Sequence, residues 1–129
     1  MDVLLKSLSK YYEDEKNSKK LLDILESNDK LSLRIIDWFV TNYSKKNNIF
    51  YEIYKDENNK YSFSKTDKFH KQFNTYQSYK SQLKSFSKKK FDPFCRRERI
   101  QFHLNDNKSI ETTIGQLNFF KWAIENLII

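Results

Sequence analysis

One glycine, one proline and one alanine in 129 residues leave this chain little freedom in how it turns and how it fills a core. The glycine-rich loops that cradle phosphates, of Walker or dinucleotide type, need several glycines; Gly115 alone cannot build one. The aliphatic stock is also thin. Hydrophobic residues make up 38% of the chain, whereas aromatics reach 16%, as eight Tyr, eleven Phe and two Trp. Rings must therefore supply much of the buried area. At this length one hydrophobic core is expected, and no composition shift, linker or repeat divides the chain, so residues 1–129 read as a single domain.

Charge is distributed less evenly than composition. Residues 68–99 hold ten cations against two anions, a net of +8, while the rest of the chain carries −1 of the overall +7. An A+T-rich coding bias accounts for a high lysine total. It does not account for clustering. Within the segment the cations alternate with Phe69, Phe73, Tyr76, Tyr79, Phe86, Phe91 and Phe94, a pattern that suits a polyanion-binding surface.

Local patterns predict an α+β domain in a definite order. Leu4, Leu5, Leu8 and Tyr11-Tyr12, then Leu21, Leu22, Ile24 and Leu25, have helical spacing. A third helix is predicted over about 31–43, with Leu31, Ile35, Trp38, Phe39 and Asn42 near one face and Ser27-Asn28-Asp29 as its break and N-cap. The β-formers at 49–54 and the alternation at 61–64 flank the polar stretch 56–60, which predicts a β-hairpin. A basic helix is expected from about Phe73 to Lys89, with Phe73, Tyr76, Leu83 and Phe86 on one side and Lys80, Lys84 and Lys88 on another. Phe91-Asp92-Pro93-Phe94 ends it, because a residue before proline avoids the helical region. A second β-hairpin follows, with residues 99–104 and 109–112 about a turn at 105–108. Thr113 and Gln116 then fit a capping box opening a C-terminal helix. The apolar end, Leu127-Ile128-Ile129, is expected to dock into the core or into a second copy of the chain.

Few residues carry enzyme chemistry. Cys95, His70 and His103 are the whole thiol and imidazole inventory, and none falls at metal-ligand spacing. Arg96 and Arg97 would lower the Cys95 thiol pKa, but no nucleophile elbow or oxyanion loop accompanies it. Glu13-Asp14-Glu15 reads as a solvated helix end. The expectation is a non-enzymatic protein with no metal and no cofactor. A lone cysteine, no leader-like start and no apolar stretch near membrane-spanning length lead to an intracellular protein without a membrane partner.

The basic segment supports a sharper expectation. Lys80, Lys84 and Lys88 recur without intervening acids and repel one another unless an anion is present. Three of the four arginines sit at Arg96, Arg97 and Arg99, and their planar forks suit phosphate oxygens. With Lys89 and Lys90, these residues are the candidate nucleic-acid contacts, for DNA or RNA, by phosphate rather than by base sequence. Tyr79, Phe91 and Phe94 are candidates for stacking on exposed bases. The alternative is a virion structural or protein-interaction module whose basic face binds an acidic protein.

The stretches 79–84, 91–100 and 110–123 (the last reading Ile110-Glu111-Thr112-Thr113-Ile114-Gly115-Gln116-Leu117-Asn118-Phe119-Phe120-Lys121-Trp122-Ala123) resemble a small-protein family of nucleocytoplasmic large DNA viruses, over the C-terminal half. The resemblance implies a viral protein made in the host cytoplasm and packaged in the virion. It brings no catalytic residue.

Overall fold

The computed structural model describes residues 3–26, 33–94, 99–104 and 108–128. Helix α1 (Val3–Tyr11) buries Leu8, and Leu4 and Leu5 pack beside it. Helix α2 (Glu15–Glu26) begins where Asp14 accepts the Lys16 amide on Oδ1 at 2.9 Å and the Ser18 amide on its carbonyl at 3.1 Å. The acidic run is thus a helix start, satisfying amides that the first turn leaves open. Between the two helices the Tyr12 ring is buried, and its hydroxyl donates to the Leu117 carbonyl at 2.7 Å, tying the N-terminal helices to the far end of the chain.

The third helix departs from the sequence expectation in both shape and face. Regular α3 (Leu33–Trp38) widens into a π-helical turn, Phe39–Tyr43, before α4 (Ser44–Asn47) ends on left-handed Asn48. Ile36, Val40 and Ser44 are the buried residues, spaced four apart, whereas Ile35 and Trp38 lie about half exposed at 46% and 52%. Every residue of α3 except Arg34 and Asp37 is apolar, so periodicity alone admitted two faces. The Ser27-Asn28-Asp29 break and Leu31 lie outside the described residues.

Strand β1 (Phe50–Lys55) pairs antiparallel with the short β2 (Tyr61–Ser62), as the hairpin pattern requires. Asp56 Oδ1 closes the loop by accepting the Asn58 and Lys60 amides at 2.8 and 2.9 Å, and Asn59 takes the left-handed conformation. The other side of β1 carries a strand that the sequence reading did not predict, β3 (Lys68–Asn74). Phe73 therefore lies in a strand, opposite Tyr51, and not on the basic helix. A bulge at Ile53/Tyr54 breaks the ladder; Ile53 and Phe73 are buried, while Phe50 and Phe69 are exposed. Strands β4 (Ile100–His103) and β5 (Ser109–Thr112) form the second, separate hairpin. Of the turn predicted at 105–108, residues 105–107 lie outside the described residues.

The core closes where α5 (Thr75–Phe91) meets α6 (Ile114–Glu125). Asn74 caps α5 by accepting the Gln77 amide at 3.0 Å, and Thr113 caps α6 by accepting the Gln116 amide at 3.1 Å. Only half of the predicted capping box forms, because Gln116 Oε1 accepts from the Thr112 hydroxyl at 2.6 Å. Phe91, fully buried, sits among Tyr79, Phe86, Phe119 and Trp122, with Phe119 and Trp122 edge-on at 5.5 Å. Two polar ties cross the same contact. Asn118 Nδ2 donates to the Lys90 carbonyl at 2.8 Å, and the Trp122 indole donates to Ser78 Oγ at 2.9 Å. At the C-terminus, Leu127 and Ile128 pack against this same core, and the Ile128 amide donates to the Ala123 carbonyl at 2.9 Å.

The single glycine stands at this crossing. A Cβ on Gly115 would lie 2.8 Å from the Asp92 carbonyl oxygen and 2.9 Å from that of Lys89, both backbone atoms with no rotamer to give way. Helix propensity would favour alanine by about 1 kcal/mol, but overpacking costs about 1–3 kcal/mol, and here the clash involves backbone on both sides. Gly115→Ala is therefore expected to destabilise the fold by about 1–2 kcal/mol in urea unfolding.

A second prediction concerns pH. Asp37 of α3 has its carboxyl raised above the ordinary aspartate range, first by burial and then by the Asp92 carboxylate. Its ionisation costs more in the folded chain than in the unfolded one. That cost is absent at low pH, where both states hold the proton, and grows as pH rises from the ordinary aspartate pKa through the folded value. Asp37→Asn removes it, so the variant should gain stability relative to the parent between about pH 4 and pH 7, measured by urea unfolding at each pH.

Candidate nucleic-acid interface

Helix α5 carries five lysines and no acidic residue. Its entry is fixed by three contacts: the Asn74 cap, Asn74 Nδ2 donating to Asn48 Oδ1 at 3.2 Å, and the Thr75 amide donating to the Ile49 carbonyl at 3.1 Å. Tyr76, Tyr79, Leu83 and Phe86 turn inward and are half-buried, which leaves Lys80 and Lys84 on the solvent side. Lys80, Lys84 and Lys88 line one open depression together with Gln77, Ser81 and Ser87. The three lysines thus share one side of α5, but not as one continuous helical row. Ser87 adopts φ 65° and ψ 167°, a backbone state that costs a non-glycine residue about 1–3 kcal/mol, and this kink re-aims the last turn.

The last turn presents Lys88, Lys89 and Lys90 outward while their backbones are held. The Asp92 amide donates to the Lys88 carbonyl at 2.9 Å, Lys89 abuts Gly115, and Lys90 accepts from Asn118. The helix ends at Phe91 with Asp92 extended, and Asp92 Oδ1 accepts the Phe94 amide at 2.9 Å, which forms the corner expected around Pro93.

The arginine cluster is less uniform than its sequence suggests. Arg99 pairs with Glu111 across the β4–β5 hairpin at 3.1 Å, both side chains being about half exposed. Arg96, Arg97 and Cys95 lie outside the described residues. The fold also brings in Arg34, from the N-terminal region that sequence reading treated as near-neutral. Arg34 of α3 lines a groove with Arg99, Pro93, Phe94 and Gln116. Asp37, one helical turn on, shares the neighbouring recess with Arg34 and Phe94, so the cations here have an acidic border. No sequence signal marked Arg34, since it lies far along the chain from the segment that it joins.

Of the predicted stacking rings, Phe91 is wholly buried and cannot meet a base, and Tyr79 is half-buried in the same cluster. Phe94 is 44% exposed beside the two arginines and remains available. Phe50 and Phe63, which were not singled out from sequence, are also exposed, as is Phe69 of the interleaved rings.

Residues that carry other chemistry are scattered. His70 sits against Tyr61 with ring centres 5.1 Å apart, and its pKa is lowered by desolvation and then by Lys55 and Lys71. His103 is exposed on β4. Among the described residues no three His, Cys, Asp or Glu side chains gather into a metal-binding group, and no helix is long and apolar enough to cross a membrane.

Comparison with known proteins places the sequence in a lineage. The chain is 40% identical over 134 residues to a protein named "Uncharacterized protein L507" of Acanthamoeba polyphaga mimivirus, a match that covers all of this chain and 48% of the relative. The chain thus spans about half the length of that relative, whose viral source fits the resemblance read from the C-terminal half. No solved structure matches the chain. The likeness is wider than that half, because one family model matches residues 1–129 throughout: the chain belongs to DUF7197, a family of unknown function.

Proposed function

We propose that this protein is a non-enzymatic nucleic-acid-binding protein of viral origin that grips the phosphate backbone without reading sequence. The observation that carries the reading is α5, whose five lysines have no acid on their own helix to relieve them. Exposed side chains on a backbone locked by α6 offer charge at fixed spacing, so little order has to be imposed on binding. Contacts of this kind release counterions, which makes affinity fall steeply with salt. The contacts are Lys80, Lys84, Lys88, Lys89 and Lys90, with Arg96, Arg97 and Arg99 beyond the corner. Arg34 joins Arg99 at the Phe94 groove. Arg99 contributes less than the others, because Glu111 already occupies it.

The test is polarisation binding to labelled single- and double-stranded DNA and RNA of random sequence over a range of salt. Replacing Lys80, Lys84 and Lys88 together by Gln should weaken binding to every sequence alike. It should also reduce the slope of log affinity against log salt by about 2–3. Thermal stability should hold, since these side chains are exposed. An unchanged slope in the triple variant would overturn the assignment, and binding that persists only to acidic polypeptides would assign the basic face to a protein partner.

A further inference from the structure

Ser87 stands apart from the rest of α5. Its backbone, at φ 65° and ψ 167°, lies in a region that suits glycine and strains every other residue. At Asn48 and Asn59, two turn positions with positive φ, the chain uses asparagine, which tolerates such geometry better than most residues. Serine lacks that tolerance. The Ser87 side chain is exposed, and its hydroxyl has no hydrogen-bond partner among the described residues. It therefore contributes nothing to holding the kink that it occupies, and the oxygen is open to reaction.

The surroundings of this hydroxyl are cationic on both flanks. Lys84 lies three residues before it, and Lys88, Lys89 and Lys90 follow it directly. Lys80, Lys84 and Lys88 line the same open depression as Ser87, and no carboxylate does. Serine kinases bind the acceptor serine in non-helical backbone, and many select cations beside it. The kink meets the first requirement and the lysines meet the second. Ser81 lines the same depression, but its backbone is regular helix, whose hydrogen bonds a kinase would have to break.

We propose that Ser87 is a phosphorylation site for a serine kinase that selects basic sequences, and that phosphate there switches off the α5 surface. In the transfer the Ser87 Oγ attacks the γ-phosphorus of ATP, and the bond from that phosphorus to the β,γ-bridging oxygen breaks. ADP leaves, and the serine proton passes to the carboxylate base of the kinase. The monoester carries a charge of about −1.5 to −2 at pH 7, which offsets about half to two-thirds of the three lysine charges in the depression. Tethered among those lysines, it competes with the phosphates of a nucleic acid for the same cations. The switch rests on the phosphate-binding reading of α5, whereas the modification does not.

The test incubates the full chain with MgATP and protein kinase C, which accepts serines among basic residues, and maps the product by tandem mass spectrometry. Phosphate should enter at Ser87. It should be lost in Ser87→Gly, which keeps the backbone geometry without the strain and should therefore melt at a higher temperature than the parent. In polarisation binding to the same random-sequence strands, the phosphorylated protein should bind about tenfold more weakly. Its slope of log affinity against log salt should fall by about 1–2, and phosphatase treatment should restore both. No phosphate at Ser87 would overturn the proposal. So would phosphorylated protein that binds like the parent while the Lys80, Lys84 and Lys88 triple variant binds weakly. If the triple variant also binds like the parent, the phosphate reading of α5 fails and the switch with it, while a mapped phosphate at Ser87 still establishes the modification.

Discussion

The fold depends on how closely α6 approaches the end of α5. At Gly115 the two backbones come within a distance that no side chain allows, and the contacts that stabilise the core follow from that approach. It lets Asn118 reach the Lys90 carbonyl and brings Phe119 and Trp122 onto Phe91. Burying Phe91 is worth several kcal/mol by the usual cost of truncating a buried phenylalanine, about 3–5 kcal/mol. In a chain so poor in aliphatics, an interlocked ring cluster takes the place of the Leu, Ile and Val layers of an ordinary core. Rings pack edge to face at fixed distances, so the crossing tolerates little sliding, and this explains why the only glycine is spent there.

The same crossing determines what the basic helix presents. Lys88, Lys89 and Lys90 occupy the last turn of α5, where the helix dipole favours cations by about 0.3–1 kcal/mol each. Part of their presence is therefore explained by helix stability alone. Lys80 and Lys84 have no such compensation, because they lie in the helix body with no acid beside them on α5. In the proposed reading the weight of the stripe rests on these two, and the terminal lysines extend it around the kink at Ser87. The anchored backbone matters as much as the charge: flexible lysines on a frayed helix would lose much of their binding energy to ordering.

Much of this architecture was legible in the residues. The first hairpin was marked by its β-formers and the Asp56 loop, and α6 by Thr113. What failed to show has specific physical causes. Strand β3 carries Lys68, His70 and Lys71 between its rings, so charge masked a period-two alternation of Phe69, Lys71 and Phe73, and the strand was absorbed into the helix that follows it. On α3, where only Arg34 and Asp37 interrupt the apolar residues, Ile35 and Trp38 were as plausible a core face as Ile36 and Val40. Tertiary packing, not periodicity, decided between them. Arg34 was invisible as a site residue because its partners come from the corner after α5 and from the second hairpin.

Charge along the chain and charge in space therefore differ here in an instructive way. The linear count credits Arg99 fully, yet Glu111 faces it from the paired strand and neutralises much of its reach. The count gives nothing to Arg34, although the fold sets it beside Phe94. It also treats Lys71 as one more member of the basic segment, whereas β3 sets that side chain near Glu125 of α6. The described cations of the segment thus form no single surface: Lys80, Lys84 and Lys88 share an open depression on α5, Arg99 joins Arg34 beside Phe94, and Lys71 lies toward α6. The depression on α5 is lined by three lysines and by no acidic side chain. The surroundings of Lys71 are mixed in charge, since Glu125 and Lys121 of α6 line the same recess and pair with each other at 4.0 Å, so a cation counted in the run is offset there by an acid from a helix far along the chain.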